Sequence, residues 1–176
     1  MSTKPASIRI SVPVTNLELD QTRALMRSFA DWHRRSHEQD RHLIEQYFDG
    51  AAFEAEVAAL PGKYGPPSGQ LLLATIDSEP AGCVALRAMD EGYCEMKRMF
   101  VPVHLHGRGI GQALGQAIVA SARKMGFKAM RLDTSIRQLK AQALYRSLGF
   151  RAIEPYYPMP EQVRQWLVFM ELTLEQ

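Results

Sequence analysis

The residues best suited to chemistry lie in one run, CEMKRMFVPVHLHGRGIGQALGQ, at positions 94–116. Gly107, Gly109 and Gly111 flank Arg108 and Ile110, so consecutive backbone N–H groups can face outward with no Cβ to block a ligand. Apolar residues then recur at Ile110, Ala113, Leu114, Ala117, Ile118 and Met125, the spacing of one buried helix face. A glycine turn on a helix N-terminus offers free donors and the positive end of the dipole, which suits phosphate or pyrophosphate. Just upstream, Glu95, Lys97 and Arg98 place charge in a run of β-formers. Period two sets Tyr93, Glu95, Lys97, Met99 and Val101 on one face and Cys94, Met96, Arg98 and Phe100 on the other. Glu95 is then either half of an ordinary ion pair or a proton acceptor in a cleft. His33 and His37 stand four apart, a spacing that could hold a metal. The glutamate of H-E-x-x-H and a third ligand are missing, so the pair reads as a solvated helix face and no metal is expected.

Several elements must position these groups. Alternation over 8–14, closed by a proline, predicts an edge strand. Thr15 and Asn16 can cap a helix over 17–37 with Leu25, Phe29 and Trp32 on one face. Helical spacing continues over 41–60, and prolines and glycines punctuate a rigid loop over 61–69. Its one aromatic, Tyr64, belongs either to a tight connection or to a loop that closes over a substrate. Residues 70–76 and 81–88 read as strands joined by an Asp77-Ser78-Glu79-Pro80 turn, leading antiparallel into a central strand over 94–103. Gly126 stops the helix after the glycine turn, and a strand over 128–134 follows at once. Strand, helix, strand with a short connection predicts a parallel pair. A helix over 137–148 stops at Gly149, a proline-stiffened loop carries Tyr156 and Tyr157, and 165–174 reads as a last strand.

Whole-chain bounds agree with one domain over 1–176, since 176 residues at 46% hydrophobic content fill a single core. A formal charge of +2 and no basic block of five exclude a nucleic-acid footprint. Cys83 and Cys94 both sit in strand-like runs and read as buried reduced thiols. The opening MSTKPASIRI lacks an apolar signal core and no run of 18 apolar residues occurs, so a cytoplasmic protein without a membrane partner is expected.

The glycine turn does not fit a dinucleotide fold, because Gly109-x-Gly111 is followed by Leu114, and it lacks the Gly-Lys-Ser/Thr of a P-loop. His106-Gly107-Arg108-Gly109-Ile110-Gly111 instead resembles motif A of the GNAT superfamily of acetyl-CoA-dependent N-acetyltransferases, (Arg/Gln)-x-x-Gly-x-(Gly/Ala), with His106 departing at the first position. Ala143-Leu144-Tyr145-Arg146-Ser147-Leu148-Gly149-Phe150 resembles the same superfamily's motif B, with Gln138 where an Asn is usual. The resemblance covers about residues 70–154. It implies an α+β, three-layer fold: a mixed, mostly antiparallel sheet with a splayed parallel pair at the cofactor cleft and helices on both faces. It implies acetyl-CoA as co-substrate, held by His106, Gly107, Arg108, Gly109, Ile110, Gly111 and Gln112 at the pyrophosphate, by Met99, Phe100 and Val101 along the pantetheine, and by Thr134 and Gln138 on the far wall. It implies Glu95 as general base, Tyr145 as the acid that protonates the leaving thiolate, and direct attack by a primary amine in a ternary complex. Tyr64, Lys97 and Tyr156 are candidate contacts to a small-molecule or peptide acceptor, and a homodimer is in keeping with the superfamily. The rival readings are an acyl-CoA-binding module without turnover and a nucleotide-phosphate binder, against which the antiparallel hairpin before the motif speaks.

Overall fold

The computed structural model describes residues 7–174; the first six, where the leader was sought, and the last two lie outside the described residues. Seven strands form one sheet in the order β1-β2-β3-β4-β5-β7-β6. β1 (Ile8–Ser11) is the expected edge, shorter than the alternation suggested. α1 (Asn16–Ser36) begins with a capping box: the Thr15 hydroxyl accepts from the Glu18 N–H, and the Glu18 carboxylate accepts from the Thr15 N–H. The helical stretch over 41–60 is two helices, α2 (Arg41–Tyr47) and α3 (Gly50–Ala58), because Asp49 stops one chain direction and caps the next through the N–H groups of Ala51 and Ala52.

β2 (Gln70–Ile76) and β3 (Glu79–Ala88) are joined by a two-residue turn. Asp77 and Ser78 take φ of 50° and 70°, the twist-matched hairpin turn, so Glu79 and Pro80 belong to the strand rather than the loop. β4 (Tyr93–Phe100), α4 (Ile110–Lys124) and β5 (Ala129–Ser135) form the parallel unit. Its pairing is short: Tyr93, Cys94 and Glu95 face Ala129, Met130 and Arg131, and beyond them the strands part. α5 (Leu139–Ser147) and β6 (Arg151–Ile153) follow, then α6 (Glu161–Trp166) and β7 (Leu167–Thr173). The last strand is therefore shorter than 165–174, since Gln165 and Trp166 close a helical turn that accepts no ladder pairing.

One irregularity changes the reading of the central strand. Cys83 pairs with Phe100 and Ala85 with Lys97, so Val84 alone lies opposite two residues, Arg98 and Met99. This is a β-bulge, with Arg98 at a φ of 58°. The extra residue reverses the alternation after Lys97. Met99 and Val101 pack with Cys94 and Met96 against α4 and α5, while Phe100 joins the opposite core with Met26, Ile44, Phe53 and Phe169. Strict period two had them the other way round. Helices thus cover both faces of a mixed, mostly antiparallel sheet, and the site lies where β4 and β5 separate.

Candidate active site

The glycine turn opens onto a cavity of about 800 Å³. Gly109 is the N-cap of α4 at a φ of 81°, with no side-chain cap, so the first N–H groups of the helix are left to a ligand. A Cβ added at Gly107 or Gly109 would meet nothing within 4 Å, so the space before the turn is open. His106, Gly107, Gly109, Ile110, Gly111 and Gln112 form one end of the cavity wall, and Met99, Phe100 and Val101 the floor. Phe29 and Trp32 from α1 and Leu139, Ala141 and Leu144 from α5 enclose the sides. The His106 ring also pairs its Nε2 with the Val101 carbonyl at 2.8 Å, tying the turn to the strand end. The Arg108 side chain is exposed and is not part of the wall.

A second, smaller chamber of about 40 Å³ sits in the splay itself. Lys97, Arg98 and Met99 of β4 face Asp133, Thr134 and Ser135 of β5 across it, with His33, Tyr47 and Trp166 from the helices. Phe29, Met99, Gln138 and Tyr145 belong to both walls, so the two spaces adjoin along these four residues. Burial, reinforced by the Asp133 charge, pushes the Tyr145 phenol well above its ordinary range, so it stays a protonated donor at neutral pH.

The charged residues form a connected cluster that runs from Lys97 and Asp133 in the chamber wall to Glu95 and Arg87, which line neither space. The Glu95 carboxylate, 1% exposed, accepts from Arg87 Nε at 2.6 Å and the Tyr156 hydroxyl at 2.8 Å, with Lys97 Nζ 3.4 Å away. Asp133 accepts from the hydroxyls of Tyr47 and, at 2.8 Å, Tyr157, with Lys97 Nζ at 3.6 Å. Burial would lower the Lys97 ammonium, but the Asp133 and Glu95 carboxylates outweigh it and keep it charged. Glu95 lines neither cavity. Of the alternatives open in the sequence, the geometry matches the ion pair, because Arg87 stands directly across the ladder from it. Tyr156 likewise faces Glu95 rather than either space, whereas Lys97 does line the chamber. Tyr64, 1% exposed, donates to Glu56 at 2.9 Å and packs in the core, away from both walls.

His33 departs from the solvated face expected of it. It is 2% exposed rather than solvated, because its helix face turns toward α5 and the rings of Phe29, Trp32 and Phe48 surround it. Its Nε2 lies 2.8 Å from the Gln138 amide, and burial, then the His37 charge, lowers its pKa to about 4. Tyr47 and Asp133 escaped notice in the sequence; a lone carboxylate in the otherwise apolar-alternating β5 was the available signal.

Comparison with known proteins agrees with this architecture. Residues 23–150 match the acetyltransferase (GNAT) family, and the chain belongs to that family, whose members take their acetyl group from acetyl-CoA. It is an acetyltransferase of this class. An uncharacterized N-acetyltransferase of Schizosaccharomyces pombe is 34% identical over 175 residues, 97% of this chain and 98% of that one. N-acetylaspartate synthetase of Danio rerio is 32% identical over 115 residues, 64% of this chain but 40% of its own length, so this chain spans about two fifths of that relative. Among solved structures, PaiA N-acetyltransferase of Thermoplasma acidophilum in complex with coenzyme A superposes with a TM-score of 0.69 at 17% identity, covering 95% of this chain and 99% of that one. At that identity the likeness speaks for the fold alone.

Proposed function

We propose that the chain transfers an acetyl group from acetyl-CoA to the nitrogen of a small-molecule or peptide primary amine by direct attack, with both substrates held together. The observation that carries this reading is the adjacency of two unlike spaces that share Phe29, Met99, Gln138 and Tyr145: a large, mostly apolar cavity with bare helix N–H groups at one end, and a small chamber between β4 and β5 lined by charged and polar side chains. Pyrophosphate suits the Gly107 to Gln112 amides, and the pantetheine suits the Met99 to Val101 floor, where β4 no longer pairs with β5. Acetyl-CoA supplies an activated thioester carbonyl at the junction; the remaining work falls to the chain's own groups. Strand amides near Val101 face a developing oxyanion, and Tyr145, kept protonated by burial, gives its proton to the departing sulfur. Both substrates in one complex make a covalent enzyme intermediate unnecessary. Cys83 and Cys94 are buried with thiols pushed up to about 12, in keeping with no nucleophilic role.

We assign Glu95 to holding Arg87, Lys97 and Tyr156 in place rather than to taking the amine's proton. The test is thiol release from acetyl-CoA across an amine panel that includes acidic amino acids, with mass detection of the acetylated product. A wild-type protein that binds acetyl-CoA and acetylates no amine would favour the non-catalytic acyl-CoA-binding reading.

A further inference from the structure

The chamber between β4 and β5 carries opposite charges side by side. Among the described residues Asp133 is the one carboxylate in its wall, and Lys97 Nζ stands 3.6 Å from it. The other basic side chains of the wall are engaged or uncharged. Arg98 gives its Nε to Glu56 at 2.7 Å and lies over the Phe48 and Phe53 rings, and His33, lowered to about 4, is neutral at physiological pH. Lys97 differs. Its ammonium has three N–H donors, and its one hydrogen bond among the described residues goes to the Tyr47 hydroxyl at 3.2 Å. The Glu95 and Asp133 carboxylates, at 3.4 and 3.6 Å, hold its charge without accepting a hydrogen bond from it. Burying an ammonium with unspent donors is costly, so this wall calls for an acceptor oxygen inside the chamber.

Asp133 has capacity left as well. Its two oxygens accept the Tyr47 and Tyr157 hydroxyls, one each, and a carboxylate oxygen has room for two donors. Tyr47 accepts from Lys97 and donates to Asp133, which fixes the pair in register. The chamber's volume of about 40 Å³ is that of about three or four waters. The head of an α-amino acid carries an amine and a carboxylate on one carbon, with its charges about 3 Å apart. That head matches the chamber in size and the Lys97–Asp133 pair in spacing and sign.

We propose that the acceptor is a free α-amino acid, whose carboxylate takes hydrogen bonds from Lys97 and whose amine nitrogen faces Asp133. The inference rests on the acetyl-transfer reading above and names its substrate class. The nitrogen then stands in the space that adjoins the outer cavity along Phe29, Met99, Gln138 and Tyr145. Other amines fit less well. A peptide N-terminus sets a neutral amide where the carboxylate belongs, a simple alkylamine leaves the Lys97 donors unmet, and a polyamine brings further cations against a buried ammonium. A zwitterion adds no net charge, so its entry leaves neither Lys97 nor Asp133 uncompensated.

The probes are the proteinogenic L-amino acids, each beside its α-amide and the amine left by its decarboxylation, in thiol release from acetyl-CoA. The wild type is expected to acetylate at least one acid with kcat/KM about 10- to 100-fold above its amide, the span of a hydrogen bond to a charged group. The amide's amine is the less basic of the two, so a larger uncharged fraction cannot produce that preference. Lys97→Met should collapse the ratio toward one, and Lys97→Arg, which keeps the charge, should preserve it in part. Amides turned over by the wild type as well as acids, or a ratio that Lys97→Met leaves intact, overturns the inference. If Lys97→Met does not fold, the wild-type acid and amide pairs decide alone. A wild type that acetylates no amine defeats the acetyl-transfer reading. Titration of the same pairs into the coenzyme A complex then decides this one: acids binding above their amides supports it, and equal or absent binding overturns it.

Discussion

Tyr145 and Glu95 are both buried, yet their surroundings ask different things of them. Tyr145 has no polar side-chain partner among the hydrogen bonds described and stands at the joint of two cavities, so its hydroxyl is available to a substrate. Tyr145→Phe should cut kcat about 100-fold while acetyl-CoA binding persists, measured by steady-state rates beside titration. Glu95 has its oxygens engaged by Arg87 and Tyr156. Glu95→Gln leaves Arg87 short of a buried partner and should cost about 3 kcal/mol in urea unfolding, while the shape of the pH–rate profile survives. Loss of the acidic limb in that variant would return the base role to Glu95. Titration adds two separate windows. His33 falls from an ordinary 6.5 to about 4 on folding, so the unfolded chain binds the proton more tightly. That term favours folding above pH 6.5 and disappears as pH drops toward 4, a change of about 3 kcal/mol that His33→Gln should abolish. Glu56 acts lower down. Burial raises its carboxyl, but Arg98 and then Lys63 outweigh that and bring it to about 2, so its contribution is present above about 4.5 and lost as pH falls toward 2.

At the scale of elements, the glycine turn and the bulge in β4 divide the work of shaping the cleft. The turn leaves N–H groups bare, and Gly109 takes a left-handed φ that a side chain resists by about 1–2 kcal/mol. Gly109→Ala should therefore raise the acetyl-CoA Kd about tenfold or more, read by titration, with kcat at saturation changed far less. These backbone features were legible in the sequence because glycine advertises them, as the turn over Gly107 to Gly111 and the stop at Gly126 did. The bulge was not. Its left-handed residue is Arg98, which carries no conformational signature, and one extra residue moved Met99, Phe100 and Val101 to faces opposite those that alternation assigned. Glu95 was ambiguous for a related reason: Tyr156 arrives from 61 positions away, and no local pattern encodes that meeting. His33 was misread because Arg34, Arg35 and Ser36 beside it look solvated, while the ring itself meets Phe48 just past α2 and Gln138 just before α5.

For the whole molecule, one sheet carries two cores, and both depend on the same central strand. Ligand binding at that strand should be felt globally. Coenzyme A at about 100 times its Kd adds about 2.7 kcal/mol, which for a chain of 176 residues is a Tm rise of about 5–10 °C by thermal shift. ATP or NAD at the same concentration should leave Tm unchanged; an equal rise would point to a generic nucleotide site. The strands, the helices and the parallel unit follow from hydrophobic period and punctuation, and the mixed sheet with helices on both faces from the resemblance to the superfamily, whereas the chamber follows from contacts between segments far apart in the chain.

The short β4–β5 pairing has one more effect. Past Glu95 and Arg131 the two strands present peptide groups to each other across a distance they cannot close, which in most proteins would be an exposed and adhesive margin. Here that margin faces inward between layers, hidden from other chains yet reachable by a slender molecule that carries amides of its own. A donor stripped to acetylated cysteamine would leave this margin unmet, and so should be turned over far more slowly than its thioester reactivity alone would suggest.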